Sequence, residues 1–430
     1  MDDKRSQALA EANVLRKVAW RLIPLMGLLY VLAFLDRVNV GFAALTMNAN
    51  LAFSATVFGN GAGIFFLGYV LFEIPSNLML HKMGARRWIA RIMISWGVLS
   101  AGMAFIRTPL DFYVLRFLLG VAEAGFFPGM ILYLTYWFPS QQRTRTLGAF
   151  LVALPVASVI GAPVSTLLID LKVGSLHGWQ WLFLLEGIPA ALVGFLVLGI
   201  LSDRPANASW INADEKRVLI QLLARDQTTQ AASTRTAIQA LNNRRVWLLG
   251  VVYLALLTGL YGFNFWLPQI IQNLDVLTHR EIGVLAVVPN FVASVMMYGW
   301  ARHSDATNER RWHLAIPALV GALGLATASQ VSQPFVLLLA LTFGAAGIYA
   351  TLPIFWAMPS ETLEGAAAAS GFALINAVGN LGGYLGPALM GYSKDTLGSF
   401  GVGLKMLAFS LALTGFLALR IRTFKTGSEF

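Results

Sequence analysis

Five ionisable residues lie inside long apolar segments in the first third of the chain: Asp36, Arg37, Glu73, Arg116 and Glu123. A charge in hydrocarbon costs about 2.5 kcal/mol or more unless it is paired or faces a water-filled cavity. Guanidinium groups can bind organic anions, and carboxyl groups can take up and release protons. We therefore expect these side chains to line an aqueous path for a charged solute.

Arg37 and Arg116 are the candidate anion-binding residues of this set. A guanidinium stays charged even when it is poorly hydrated, and its fork matches a carboxylate in a bidentate arrangement. The alternative is that both cations only neutralise the nearby acids, Asp36 and Glu123.

The two acids have different expected partners. Glu123 follows Arg116 by seven residues, which places both on one helix face but about 10 Å apart along the axis, too far for a tight pair. Asp36 points about 100° away from Arg37 around its helix, so it can pair with Arg116 on another helix. The alternative for each acid is a permanent structural ion pair.

Two further acids are candidate gating residues. Glu73 shares a helix face with Tyr69, a candidate substrate contact, and lies near Pro75 toward the cytoplasmic end of its segment. A gate or an inter-helix hydrogen bond fits Glu73 better than substrate contact. Glu186 lies toward the outer end of the sixth segment, where it can act as an external gate or a helix cap.

The second half of the chain offers neutral polar groups inside its apolar segments. Asn376, Asn380 and Tyr384 step by four residues and form one polar stripe on a helix that is otherwise small and apolar. Buried amides in a membrane need partners, so the stripe can bond either a neighbouring helix or a substrate. Other candidate substrate contacts or cavity walls, for which plain packing is the alternative, are Tyr30, Phe34, Tyr261, Asn264 and Trp356.

The elements that position these residues are membrane-spanning helices. With 57% hydrophobic and 12% charged residues, the chain lies far outside the range of soluble proteins, which are about 25% charged. Its apolar residues form about twelve stretches of a length that crosses a bilayer as a helix. The predicted fold is an all-α membrane protein with two six-helix bundles. The predicted spans are 18–42, 57–80, 88–106, 111–137, 144–169, 179–201, 246–271, 281–301, 312–331, 334–357, 366–391 and 400–420.

The predicted organisation has three parts: a bundle at 1–201, a cytoplasmic linker at 202–245 and a bundle at 246–430. Glycine and proline cues recur in the same order in the two halves, which indicates a duplicated unit with a site between the halves near the midplane. In the linker, Asn212 and Glu215 have the spacing of a capping box that opens a short amphipathic helix.

The net charge of +10 predicts topology rather than nucleic-acid binding. Most of the 31 Lys and Arg residues fall at the termini and in the even-numbered loops, the positive-inside pattern with both termini cytoplasmic. Phosphate-binding loops of the Gly-Lys-Ser/Thr type are absent from the sequence, and we predict neither an enzyme nor a cofactor. The histidines fall in or beside loops without the spacing of metal ligands: His81, His177, His279, His303 and His313.

Several motifs resemble the major facilitator superfamily, and in particular its anion:cation symporter branch. The likeness covers nearly the whole chain. The loops after the second and eighth helices, the latter with Asp305 as a further gating candidate, resemble the superfamily's loop signature, although the first lacks the usual Asp. The motifs specific to the branch are Leu35-Asp36-Arg37-Val38-Asn39, Glu73-Ile74-Pro75-Ser76-Asn77, the run from Arg116 to Gly125, Tyr136-Trp137-Phe138-Pro139, the run from Trp181 to Pro189, and Phe265-Trp266-Leu267-Pro268.

This resemblance implies a monomeric, proton-coupled symporter of a small organic carboxylate in the bacterial inner membrane. It assigns proton coupling to the acids that match Asp36 and Glu123. The implied partners are an organic anion, protons and lipids, and the Phe265-Trp266-Leu267-Pro268 element is typical of members that carry tartrate-like or aromatic carboxylates. The alternatives are an exchanger or uniporter without proton coupling, and a membrane sensor that binds the carboxylate without moving it.

Overall fold

The computed structural model describes residues 2–139, 142, 153–227, 243–274, 277–362 and 365–421, and all the regular structure in these ranges is helical. The helices that precede the linker form the N-half: α1 Asp2–Leu51, α2 Ala55–Met83, α3 Ala85–Gly102, α4 Pro109–Glu123, α5 Phe126–Thr135, α6 Ala153–Ile169 and α7 Gly178–Ile200. The linker carries α8, Ala213–Gln227. The C-half consists of α9 Arg244–Gln272, α10 His279–Thr307, α11 Arg311–Ala328, α12 Pro334–Thr362, α13 Gly365–Leu397 and α14 Gly401–Arg420.

These helices form the predicted twelve membrane spans. In the ranges above, nine segments are long and apolar enough to cross a bilayer, with α4 and α5 acting together as one segment. Helix α6 contributes a shorter apolar stretch, and the start of its predicted span, 144–152, lies outside the described residues. Helices α11 and α13 complete the set. The hydropathy of α13 is lowered by its glycines and its polar stripe.

Helix α1 extends well beyond its predicted span of 18–42. Residues 2–17 contain no Gly or Pro and are rich in strong helix formers, so nothing in this stretch ends the helix. Outside the bilayer, Lys17 Nζ lies 2.8 Å from Glu215 Oε2 on α8. Asn212 and Glu215 cap each other's backbone N–H groups at the start of α8, which confirms the predicted capping box.

The fourth span is broken, although the sequence predicted one continuous helix over 111–137. Ala124 leaves the helical conformation, with ψ 132°, and Gly125 is left-handed, with φ +79°. A Cβ on Gly125 would lie 2.6 Å from Ser76 Oγ of α2, so glycine is required both for the conformation and for the close approach. Ser76 Oγ donates to the Ala124 carbonyl at 2.5 Å, which satisfies a carbonyl that the break frees. Glu123 is consequently the last residue of α4.

We call the membrane side on which α1 begins the proximal face and the side of the α1–α2 turn the distal face. The two halves pack together through α2 with α13, α6 with α10, and α1 with α9. At the α2–α13 seam the backbones approach so closely that a Cβ on Gly59 would lie 2.4 Å from the Pro387 carbonyl oxygen.

Two polar contacts join the halves at the distal face. The Asp395 carboxylate of α13 accepts hydrogen bonds from the first backbone N–H groups of α2, Ala55 at 3.0 Å and Thr56 at 2.7 Å. His279 Nδ1 of α10 lies 2.6 Å from Asp170 Oδ1, which follows α6. The halves are therefore joined at the distal face.

Candidate functional site

The centre of the molecule contains an ion pair between α1 and α4. Arg37 Nη2 contacts Glu123 Oε1, and Arg37 Nη1 donates to the Tyr261 hydroxyl of α9 at 3.3 Å. The Glu123 side chain is 1% exposed and that of Arg37 is 12% exposed. A pair formed within the N-half thus also contacts the C-half, at the interface where the sequence predicted a site.

Aromatic side chains surround this pair. The guanidinium carbon of Arg37 lies 5.5 Å from the ring centre of Phe65 and 5.7 Å from that of Tyr69. The Phe66 and Tyr261 rings meet across the halves, with their centres 4.2 Å apart. Tyr30 is buried nearby, with its ring centre 5.7 Å from that of Phe127. Charge interactions are stronger in such apolar surroundings than in water.

Arg116 does not pair with Asp36 or Glu123. Its Nε and Nη2 donate to the α2 carbonyls of Gly61 at 3.3 Å and Ala62 at 3.0 Å, and its guanidinium carbon lies 5.0 Å from the Phe65 ring centre. The side chain is fully buried, and in the part of the chain that the structure describes it makes no salt bridge. In this conformation Arg116 fastens α4 to α2.

Asp36 and Glu186 lie away from the Arg37 pair, inside the N-half. Asp36 Oδ1 accepts from Ser100 Oγ of α3 at 2.7 Å and from Asn39 Nδ2 at 3.2 Å. Glu186 accepts from the same Asn39 nitrogen at 2.9 Å and from Ser165 Oγ of α6 at 3.0 Å. The direction of Asp36, away from Arg37, agrees with the helix geometry, but its partners are neutral groups rather than Arg116.

Two hydrogen bonds cross from α2 to the polar stripe of α13. Asn376 Nδ2 donates to Glu73 Oε1 at 2.6 Å, and the Tyr384 hydroxyl donates to Asn60 Oδ1 at 3.3 Å. Asn380 Nδ2 bonds the Asn376 carbonyl of its own helix at 3.0 Å. Glu73 therefore makes the inter-helix hydrogen bond that the sequence suggested, and this bond joins the two halves.

The remaining aromatic and amide candidates pack within or beside the C-half. The Trp356 ring centre lies 5.0 Å from that of Tyr253 and stacks on Phe372 at 5.9 Å. Asn264 Oδ1 accepts from the Tyr349 hydroxyl at 3.2 Å. Phe34 and Asn264 line one small cavity between the halves. These residues lie around the central interface.

Asp305 lies apart from the centre, in the proximal region where α10 ends and α11 begins. It is exposed and pairs with Arg310 Nη1 at 2.7 Å. In the same loop Glu309 accepts from the backbone N–H groups of Trp312 and His313. Partial burial raises the pKa of Glu309. These hydrogen bonds and the one to the His313 ring outweigh burial and hold that pKa below its usual value.

Sequence reasoning did not assign roles to Asn39 and Asn60, although each contacts a candidate residue. A signal for Asn39 was present, because it follows Asp36 by three residues and so shares its helix face. Asn60 and the serines at 100 and 165 carry no comparable signal, since they face their partners only once separate helices have packed.

The comparisons with known proteins agree with this fold. A putative tartrate transporter of Agrobacterium vitis is 48% identical over 95% of this chain and 91% of its own length. The putative metabolite transport protein NicT of Pseudomonas putida is 42% identical over 94% of this chain and 93% of its own length. A partially occluded, inward-open structure of the xylose transporter XylE from Escherichia coli superposes with a TM-score of 0.74 at 14% identity, over 96% of this chain and 99% of that one.

The sequence also matches the Major Facilitator Superfamily over residues 26–387. This match spans the helices that carry the Arg37–Glu123 pair and most of the helices through which the halves pack together. Its members and the relatives above are transporters rather than enzymes, as the sequence predicted. The chain therefore belongs to the Major Facilitator Superfamily and is a multi-pass membrane transporter.

Proposed function

We propose that this chain takes up a small organic carboxylate across the bacterial inner membrane by proton-coupled symport. The observation that carries the proposal is the Arg37–Glu123 pair, buried between the halves and bonded to Tyr261. In this assignment the distal face is periplasmic, and the proximal face, with both termini and the linker, is cytoplasmic. Arg37 binds the substrate carboxylate and Glu123 carries a coupling proton.

The coupling follows from competition for one guanidinium. While Glu123 is ionised it engages Arg37, and the substrate carboxylate would have to displace it. A proton that binds to Glu123 removes this competing charge and leaves the fork of Arg37 open to the substrate. By linkage, the anion then favours protonation of Glu123 to the same degree. Proton and anion therefore bind together and leave together.

The surroundings of Arg37 support a hydroxylated or aromatic carboxylate. Tyr30, Tyr69 and Tyr261 supply both ring faces and hydroxyl groups within the central region. One relative, 48% identical to this chain, is named as a putative tartrate transporter. A hydroxy diacid would use the hydroxyl groups, and an aromatic acid would use the ring faces.

Alternating access is proposed to occur between the bundle at 1–201 and the bundle at 246–430, with 202–245 as the linker. The close backbone seam and the polar contacts at the distal face hold the periplasmic side shut. Opening this seam while the proximal side closes would expose Arg37 to the other side of the membrane.

The test is ligand-dependent thermal stabilisation of the purified protein. The panel contains tartrate, aromatic carboxylates, sugar acids and neutral sugars, each at acidic and alkaline pH. We expect a shift that is specific to carboxylates and larger at acidic pH. Arg37→Lys keeps the charge but removes the fork, and we expect it to abolish the shift. Arg91→Lys is the matched control, because Arg91 stacks on Trp88, with its guanidinium carbon 4.0 Å from the ring centre, away from the Arg37–Glu123 pair.

Three outcomes would change the assignment. A pH-independent shift from a neutral sugar that survives Arg37→Lys would contradict anion symport. Counterflow in proteoliposomes with no response to a pH gradient would indicate an exchanger or uniporter. Stabilisation without any flux would indicate a carboxylate sensor.

A further inference from the structure

A second pair of carboxyl groups lies inside the N-half, bridged by a single amide. Asn39 Nδ2 is 3.2 Å from Asp36 Oδ1 and 2.9 Å from Glu186 Oε2. Asp36 is 2% exposed, Asn39 is 0% exposed and Glu186 is 8% exposed. The side chains that contact the group come from α1, α3, α6 and α7, so it lies within the N-half.

All the groups that contact the two acids of this cluster are neutral. Hydrogen bonds to Asp36 and Glu186 come from Asn39, Ser100 and Ser165. The indole N–H of Trp96 also acts on Asp36. Over the described ranges neither acid makes a salt bridge, and Asn39 Oδ1 is buried without any donor. A proton on the carboxyl pair would supply a donor and remove one buried charge.

Charge balance indicates how many protons the pair holds. The charged groups that act on Asp36 from α4 are Arg116 and Glu123, while α3 contributes the neutral side chains of Ser100 and Trp96 and α6 that of Ser165. Arg37 and Glu123 cancel each other, and Arg116 remains as a cation without a carboxylate partner. One negative charge on the Asp36–Glu186 pair balances Arg116, so a neutral centre needs one proton on the pair. Glu73 lies apart, bonded to Asn376.

We propose that Asp36 and Glu186 share one proton across Asn39, so that Glu186 is a further proton-holding residue of the transport cycle. This inference rests on the proposed proton-coupled function. When the pair takes up a proton from water, one O–H bond forms on one carboxyl group and the other remains an anion. Two ionised carboxylates so close together in a buried site would repel strongly without a cation between them. The protonation of each acid therefore depends on the charge of the other.

The test is infrared spectroscopy of the full-length protein reconstituted in lipid. The carbonyl stretch of a protonated carboxylic acid is followed as the pH is raised, and no substrate is needed. Because the two acids hold one proton jointly, Glu186→Gln and Asp36→Asn should each remove the same band at neutral pH. Glu73→Gln is the matched control, since it neutralises another buried acid, and it should leave that band in place.

A band that survives both substitutions, or one that only a single substitution removes, would overturn the inference. If a carboxylate variant fails to fold, Asn39→Ala is the second test, because it removes the bridging amide and should change the pH at which the band disappears. A band that disappears at the same pH in Asn39→Ala and in wild type would also overturn the inference. A separate experiment tests the proposed function itself. That function fails if the wild-type protein shows no uptake of any carboxylate of the panel when a pH gradient is applied.

Discussion

The contact between Asp395 and the start of α2 predicts how firmly the distal face stays closed. Asp395 belongs to α13, yet its carboxylate accepts the first two backbone N–H groups of α2. Those N–H groups have no partner within their own helix, and they carry the positive end of its dipole. The bond exists only while the halves are joined, so Asp395→Asn should weaken closure and favour the state that is open at the distal face.

The magnitude follows from the two hydrogen bonds and their exposure. A hydrogen bond to a charged group contributes roughly 1.5–3 kcal/mol when buried, and a charge at a helix N-terminus contributes about 0.3–1 kcal/mol. Asp395 is exposed, and the asparagine oxygen keeps one acceptor, so we expect a loss of about 1 kcal/mol. This corresponds to a roughly fivefold change in the ratio of closed to open molecules.

Distances between spin labels measure this ratio directly, and the absence of native cysteine leaves only the introduced labels. Ser175→Cys after α6 and Ser399→Cys after α13 place two exposed labels on opposite halves at the distal face. Asp111→Asn is the matched control, because Asp111 also accepts two backbone N–H groups, but within its own half. An unchanged distance distribution in Asp395→Asn, or an equal shift in Asp111→Asn, would refute the reasoning.

Three further substitutions have expected outcomes. Gly59→Ala places a methyl group against a backbone carbonyl that cannot move aside, so it should lengthen the same label distance. Gly199→Ala is the control, because open space surrounds Gly199 and the distance should not change. Equal distances in both variants would contradict the close packing of α2 on α13. Glu309 has a lowered pKa, so its stabilising effect is present above its unfolded value and is lost as the pH falls through its folded value. Glu309→Gln should therefore lose less melting temperature than wild type on acidification, and parallel losses would contradict this. Ser76→Ala leaves the Ala124 carbonyl without its donor. It should destabilise the protein by about 1–3 kcal/mol, measured as a lower melting temperature. An unchanged melting temperature would contradict the role of Ser76 at the break in the fourth span.

The twelve spans were predictable because a bilayer core imposes a narrow range of lengths on apolar helices. The exact ends were less so. Helix α1 continues far past its apolar part because residues 2–17 favour a helix in water as well. The break after Glu123 had a local signal in Gly125 with a proline three residues later, but a glycine inside a span is common, and only the approach of Ser76 requires this one.

The buried ionisable residues were predictable from the sequence, and their pairings were less so. Arg37 and Glu123 were identified as charges in hydrocarbon, and this argument needs no knowledge of neighbours. Which acid meets which cation depends on how four or five helices rotate against one another, and spacing along one helix does not fix that rotation. Arg116 therefore has backbone carbonyls as its partners, and Asp36 has an amide and a hydroxyl.

The placement of charge in the two halves also has an evolutionary consequence. In the described part of the chain, all the buried carboxyl and guanidinium groups lie in α1–α7, while α9, α12 and α13 offer the centre hydroxyl, amide and ring groups. In the proposed symport, substitutions in the second half can thus alter the shape of the cargo that fits without touching the residues that are proposed to handle protons. A duplicated gene for such a symporter could acquire a new cargo by substitutions in one half while it inherits the proposed coupling residues unchanged in the other.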